Sequence, residues 1–233
     1  MLLVENYIKP IYHLLFPHVC NGCGTELLSN EKTICTTCLS FMPKTNFHLI
    51  INNPMEQKMA VRTHIENATA YCYFNKGGAI QHLLHGLKYE RKQEIGHLLG
   101  RRFGKQIEDE RWLQDIDLLM PIPLSKQKLK ARGFNQSESI TLGMADALNK
   151  PMDTAAVIRT KNTASQTNKT RAERISNMTD AFLVAYPEFI RNKHILLIDD
   201  VITTGATLEA CADIILKVPG TRVSMATLAY AVE

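Results

Sequence analysis

Residues 194–216 read HILLIDDVITTGATLEACADIIL. Four apolar residues run straight into Asp199 and Asp200. Two threonines, Gly205 and a third threonine follow, and then an apolar run at helical spacing. A continuous apolar run bounded by turn residues predicts a buried strand. From Ala206 to Lys217 the inward positions Leu208, Cys211, Ile214, Ile215 and then Val218 predict a helix. Strand, tight junction and helix in so few residues commit this part of the chain to an α/β arrangement.

The remainder alternates in the same way. NATAYCYF (67–74) predicts a strand broken by Gly77 and Gly78. Ile80, Leu83, Leu84 and Leu87 recur at i, i+3, i+4 and i+7, predicting a helix. Ile95, Leu98, Leu99, Phe103 and Ile107 predict another. DLLMPIP (117–123) predicts a short strand, Phe134 to Asn149 a helix stopped before Pro151, and AAVIR (155–159), AFLV (181–184) and TRVSMATLA (221–229) further strands. The stretch from Lys44 to about His64 predicts irregular chain, and 160–170 a mobile polar loop. Such alternation implies a mostly parallel sheet with helices on both faces. In those sheets ligands sit outside the carboxyl ends of the strands, and Asp199-Asp200 lies at one such end.

That junction has a readable chemistry. Backbone N–H groups at a helix start carry partial positive charge and attract phosphate. Gly205 lets the backbone approach an anion, and Thr203, Thr204 and Thr207 add hydroxyl donors. Two carboxylates would repel phosphate but accept hydrogen bonds from the two hydroxyls of a sugar diol. The set therefore describes a ribose 5-phosphate. The alternative is a plain strand–turn–helix capped by Asp200 or Thr203, in which two acids at the end of a buried strand would be costly and idle.

Cys20, Cys23, Cys35 and Cys38 form two Cys-x-x-Cys pairs. Each pair can aim two sulfurs at one point, and together they supply the tetrahedral thiolate set of structural zinc. Four protein ligands leave no open coordination position. Disulfides or a redox pair are the alternatives; an oxidising compartment would be needed for the first, and a single pair in a βαβ context for the second. A module of this size cannot fold on its own core, so metal binding would supply much of its folding free energy. Cys72 and Cys211 stand in apolar surroundings and predict core packing.

With 233 residues, 45 % of them hydrophobic, and a formal net charge of +4, the chain is ordinary globular material and too mildly charged to mark a nucleic-acid binder. Its opening, MLLVENYIKPIYHLLFP, has no basic leader region and is interrupted by Glu5, Lys9 and Pro10. No run reaches the roughly 18 apolar residues of a membrane span, so a cytoplasmic location is the expectation.

ILLIDDVITTGAT resembles the phosphoribosyl-diphosphate (PRPP) signature of type I phosphoribosyltransferases. In order along the chain stand the four-cysteine module, LHGLKYERK (84–92), PIPLSKQKLKARGFNQSE (121–138), SQTNKTRAERISNMTDAF (165–182) and that signature. Together they are similar to the ComF family, the competence protein F group, over roughly residues 15 to 230. The resemblance implies a type I phosphoribosyltransferase-like domain over 46–233, with a mostly parallel sheet flanked by helices, and a zinc-ribbon-like module with an N-terminal helix over 1–45. It implies that Asp199 and Asp200 hold ribose hydroxyls directly or through Mg2+, and that Thr203, Thr204, Gly205, Ala206 and Thr207 form the 5-phosphate loop. Residues 126–132 would be a pyrophosphate loop carrying Lys126, Lys128, Lys130 and Arg132, with Arg132 the favoured ligand because guanidinium clamps phosphate through two bonds. Any single lysine there is also explained as a solvated surface residue. The polar run after Thr160 would close over PRPP, bringing Lys169, Arg171 and Arg174 to the leaving pyrophosphate. Purine-salvage relatives usually carry an aspartate base where Thr203 stands, so hypoxanthine or guanine is not the expected acceptor.

Two functions of different class follow. One is a Mg2+-dependent transferase with an unknown acceptor. The other, from the same resemblance, is a protein handling single-stranded DNA in natural transformation, alongside other competence proteins, that uses the PRPP-type fold for binding.

Overall fold

The computed structural model describes residues 17–160 and 181–232. The polar run 161–170, with Lys169, and also Arg171 and Arg174 lie outside them, as does the segment expected to form the N-terminal helix.

Four parallel strands form the central sheet in the order β1-β6-β5-β2: β1 Ala68–Tyr73, β2 Leu118–Pro121, β5 His194–Ile202 and β6 Arg222–Tyr230. Alternation along β5 divides the core. Leu196 and Ile198 join one apolar cluster and Ile195 and Leu197 the other. This is why Ile195 to Ile198 is apolar at every position and not at every second one. The strand also runs further than the sequence suggested. Val201 and Ile202 pair with Ala229 and Tyr230, so Asp199 and Asp200 sit within the strand, three and two residues short of its end.

Eight α-helices are present among the described residues: α1 Thr36–Ser40, α2 Pro54–Ala60, α3 Ala79–Tyr89, α4 Gln93–Ile107, α5 Arg111–Gln114, α6 Lys126–Arg132, α7 Gln136–Leu148 and α8 Ala206–Ile215. None is long and apolar enough to cross a membrane. α4 and α7 touch at the backbone. A Cβ on Gly100 would lie 2.1 Å from the Ile140 carbonyl oxygen, and one on Gly143 2.1 Å from that of His97. Gly96, Gly100 and Gly104, four apart, fall on one helical face and permit this approach.

Three expectations are corrected. Residues 45–64 are not irregular throughout: α2 stands among them, started by a capping box. The Asn53 side chain accepts from the backbone of Glu56, the Glu56 side chain accepts from the backbone of Asn53, and Pro54 opens the helix. The basic run 126–132 is a helix, not a loop; Ser125 caps its start and Gly133, at φ 84°, ends it. Two short strands, β3 Val157–Arg159 and β4 Phe182–Val184, leave the parallel sheet and pair antiparallel with each other. Each exposes its central residue, Ile158 or Leu183, so neither can serve as a strand buried on both faces.

Candidate functional site

At the carboxyl ends of β2 and β5 opens a cleft of about 510 Å³. Asp199, Asp200, Thr203, Thr207 and Arg132 line it together, as the sequence suggested, and so do Lys88, Lys128, Ser137 and Arg159. A larger hollow of about 860 Å³ lies elsewhere, bordered by His48, Asn53 and Trp112. Its charged lining is mostly acidic, Glu56, Glu66, Asp109 and Glu110 against Arg111, which does not suit phosphate.

The turn after β5 is built as a phosphate loop requires. Gly205 takes φ 82° and is the N-cap residue of α8, so the cap position offers no side chain, and the Ala206 N–H donates instead to the Thr204 hydroxyl at 3.5 Å. The reading of Asp200 or Thr203 as a cap therefore fails. Thr204 is exposed, and Gly205 is buried so tightly that a Cβ there would meet the Met59 sulfur at 2.7 Å. Here the unforeseen α2 has its role. Besides Met59, it supplies Lys58, whose Nζ donates to the Thr203 carbonyl at 2.8 Å. Just beyond it, Arg62 pairs with Glu209 at 2.8 Å. These contacts brace the outer side of the turn and leave Thr203 and Thr207 to the cleft.

The two carboxylates are held differently. Asp199 accepts from the Ser137 hydroxyl at 2.8 Å and from the Asp200 backbone at 2.9 Å. Burial, and then the neighbouring Asp200 charge, push its carboxyl up to about 6. Asp200 forms an ion pair with Lys88 Nζ at 2.8 Å. Ser137 stands in the first turn of α7, which Asn135 caps, and the Asn135 amide in turn donates to the Ile122 carbonyl at 3.0 Å. The helix start is thus tied to the end of β2.

Helical spacing sorts the basic run. Lys128 and Arg132, four apart, face the cleft, while Lys126 and Lys130 are not part of its lining. The Arg132 guanidinium lies 5.6 Å from the centre of the Tyr89 ring, and its Nη1 donates to Gln136 Oε1. Arg159 stacks 5.0 Å over Phe182. Burial, reinforced by the charges of Arg159 and Arg132, lowers the Lys128 ammonium from its ordinary range. Burial likewise lowers Arg159. Among the described residues the cleft lining sets four cations against two carboxylates, a charge balance suited to a polyanion.

Lys88, Ser137 and Arg159 were not legible as site residues. Lys88 sits on an amphipathic helix as an ordinary polar position, and Arg159 ends a short strand. Lys88 and Ser137 did lie inside stretches already marked, LHGLKYERK and PIPLSKQKLKARGFNQSE, but neither was singled out there.

The second candidate site is the cysteine cluster. The four sulfurs lie within 4.8 Å of one another. Cys23 and Cys35 stand 3.7 Å apart, close to the separation of about 3.8 Å that two sulfurs have on a tetrahedral zinc with bonds of about 2.3 Å. Gly24, at φ 77°, closes the first turn. Cys35 caps α1 and Cys38 lies within it, so a helix takes the place of a glycine turn in the second pair. Backbone N–H groups of Gly22 and Cys35 donate to the Cys20 sulfur at 3.3 and 3.2 Å, contacts suited to a thiolate. Hydrogen bonds from Thr25 bring the Cys23 thiol down to about 6, while burial pushes Cys38 upward. The donor set fits a soft metal ion. Cys72 and Cys211 are buried in the two cores, as expected.

Comparison with known proteins agrees with this geometry. Residues 137–233 match the phosphoribosyl transferase domain family. The chain is 29 % identical over 202 residues to the DNA utilization protein YhgH of Escherichia coli K12, covering 85 % of this chain and 84 % of that one. It is 26 % identical over 207 residues to competence protein F of Haemophilus influenzae, covering 87 % and 80 %. It is 27 % identical over 206 residues to competence protein ComFC of Bacillus subtilis, covering 85 % and 78 %. The matched domain, the parallel sheet flanked by helices and the four-cysteine cluster make this chain similar to the competence and DNA utilization proteins of the ComF family, with a type I phosphoribosyltransferase-like fold.

Proposed function

We propose that the cleft binds PRPP, or a closely related ribose 5-phosphate ligand, together with Mg2+. The observation that carries this reading is the convergence on one 510 Å³ cleft of two carboxylates, a glycine-capped helix start with its threonines, and four cations. Thr203, Thr207 and the backbone of the 203–207 turn would hold the 5-phosphate. Asp199 and Asp200 would accept from the ribose hydroxyls. Lys128, Arg132 and Arg159 would meet the pyrophosphate. Mg2+, which Asp199 or Asp200 would hold, would neutralise the pyrophosphate charge. Transfer of the phosphoribosyl group, if an acceptor enters, breaks the bond from ribose C1 to pyrophosphate and forms one from C1 to the acceptor. The protein then works by positioning and electrostatics. Thr203 has no basic group with which to deprotonate a purine.

The four-cysteine cluster, within a module reaching to about residue 45, would hold a structural zinc. A second reading is supported by the names of the relatives, which speak of competence and DNA utilization. In it, single-stranded DNA is a partner and the cleft takes a phosphorylated nucleotide end.

Isothermal titration with PRPP, with and without Mg2+, beside a single-stranded oligonucleotide tests both. Mg2+-dependent PRPP binding is expected. Failure of PRPP to bind, with salt-sensitive DNA binding intact, would replace the first reading with the second.

A further inference from the structure

The helix α3 joins the two sites. At its start, the His82 ring nitrogen Nδ1 lies 2.9 Å from the Gly22 carbonyl oxygen inside the first cysteine turn. A carbonyl only accepts, so Nδ1 carries the proton and donates. Gly22 packs so closely there that a Cβ would come within 3.2 Å of the Ala79 Cβ and 3.1 Å of the Cys38 sulfur. Ile80, Leu83 and Leu84 share one apolar cluster with Cys20, Ile34, Cys35 and Cys38. At its end, the same helix presents Lys88 to Asp200 at 2.8 Å and the Tyr89 ring to the Arg132 guanidinium. The axial rise from His82 to Lys88 is about 9 Å.

An eleven-residue helix is marginal by itself, so what fixes its ends fixes its position. The N-cap of α3 is Gly78, with no side-chain cap hydrogen bond. The cysteine module supplies the missing anchor: a donor–acceptor contact through His82 and a packed seam through Ala79 and Ile80. At the other end the helix gives each half of the cleft one partner, a cation for a carboxylate and an aromatic face for a guanidinium.

We propose that His82 is a positioning residue. Through it the metal-bearing module holds α3 so that Lys88 and Tyr89 set Asp200 and Arg132 for the ligand. The inference rests on the phosphoribosyl reading of the cleft for its binding arm, and its structural arm is independent of that reading. Metal occupancy and ligand affinity are then linked, although no cysteine reaches the cleft. Such linkage is reciprocal, so a bound ligand also slows loss of the metal.

His82 is exposed, so its replacement opens no core cavity. His82→Ala is expected to keep its metal by elemental analysis. It should weaken PRPP with Mg2+ by roughly 2- to 10-fold, the worth of one hydrogen bond, and speed hydrogen exchange at Gly86–Glu90 while α7 stays protected. His82→Asn places an amide donor where Nδ1 stood and should restore both readouts. On a Lys88→Met, Tyr89→Leu background, His82→Ala should add little further loss, because the residues through which it acts are gone. Chelation of the wild type should likewise raise exchange in Gly86–Glu90 ahead of α7. Unchanged exchange at Gly86–Glu90 in both His82→Ala and the chelated protein would overturn the proposal, whatever the ligand. Faster exchange with affinity unchanged would overturn the link to the cleft. If the wild type does not bind PRPP, the cleft reading fails by itself and the exchange arm still decides whether the module positions α3.

Discussion

Asp199→Asn should make this protein more stable and less able to bind its ligand. Asp199 is partly buried beside Asp200, and its carboxyl is pushed from an ordinary 3.8 up to about 6, first by burial and then by the neighbouring charge. A gap of that size corresponds to about 3 kcal/mol. Partial exposure and screening reduce it to about 1–2 kcal/mol. The sign follows from proton counting. Between pH 3.8 and about 6 the folded state binds more protons than the unfolded one, so stability falls as pH rises through that window and the penalty is full at pH 7.5. The Asn amide carries no charge, and its oxygen still accepts from Ser137 and from the Asp200 backbone, so the substitution removes the penalty without breaking the network. The melting midpoint should rise by about 2–8 °C at pH 7.5, and the gain should vanish toward pH 4. Over the same substitution PRPP affinity should fall by roughly 10- to 100-fold, the loss of one charge-assisted contact. Thermal melts at pH 4, 5, 6 and 7.5 with titration at pH 7.5 measure both. A lower midpoint at pH 7.5, or a gain independent of pH, would refute the account of Asp199 as a strained ligand group.

On α6, Lys128→Ala and Arg132→Ala should each weaken PRPP binding about tenfold or more, and Lys126→Ala and Lys130→Ala should not; equal effects of all four on oligonucleotide binding would favour a backbone-tracking surface. Purified protein should carry about one zinc per chain, and Cys35→Ser should lower zinc content and solubility together, as read by elemental analysis and sedimentation. Gly100→Ala should cost about 2–3 kcal/mol in urea unfolding despite the better helix propensity of alanine, because its Cβ would sit 2.1 Å from a backbone oxygen that cannot move without shifting α7.

Much of this protein was written in local patterns. Apolar periodicity marked β1, β2, β5, β6 and the helices α3, α4, α7 and α8, since each must bury a stripe or a face and shows it in sequence. α2 was also legible in principle: Asn53, Pro54 and Glu56 spell a capping box, but their helix is short and its apolar face amounts to Met55 and Met59, too little for periodicity to register. The basic run at 126–132 misled because prolines at 121 and 123 precede it and glycine follows it, which reads as a loop. The decision for helix rests on Ser125 at one end and the left-handed Gly133 at the other.

What the sequence by itself determined is what depends on neighbours along the chain: the strand–turn–helix of IDDVITTGAT, with its carboxylates, glycine and hydroxyls in fixed order, and two cysteine pairs spaced for one metal ion. Residue type and spacing suffice there, because turn geometry is local. What only tertiary structure decided is which distant groups meet those residues. Lys88 finds Asp200 across 112 positions, Ser137 finds Asp199 across 62, and Lys58 reaches the Thr203 carbonyl across 145. No local pattern encodes such pairings. They arise when a parallel sheet brings the ends of β2 and β5 side by side and the helices packed on it deliver an end turn to the same edge, the last turn for Lys58 and Lys88 and the first for Ser137.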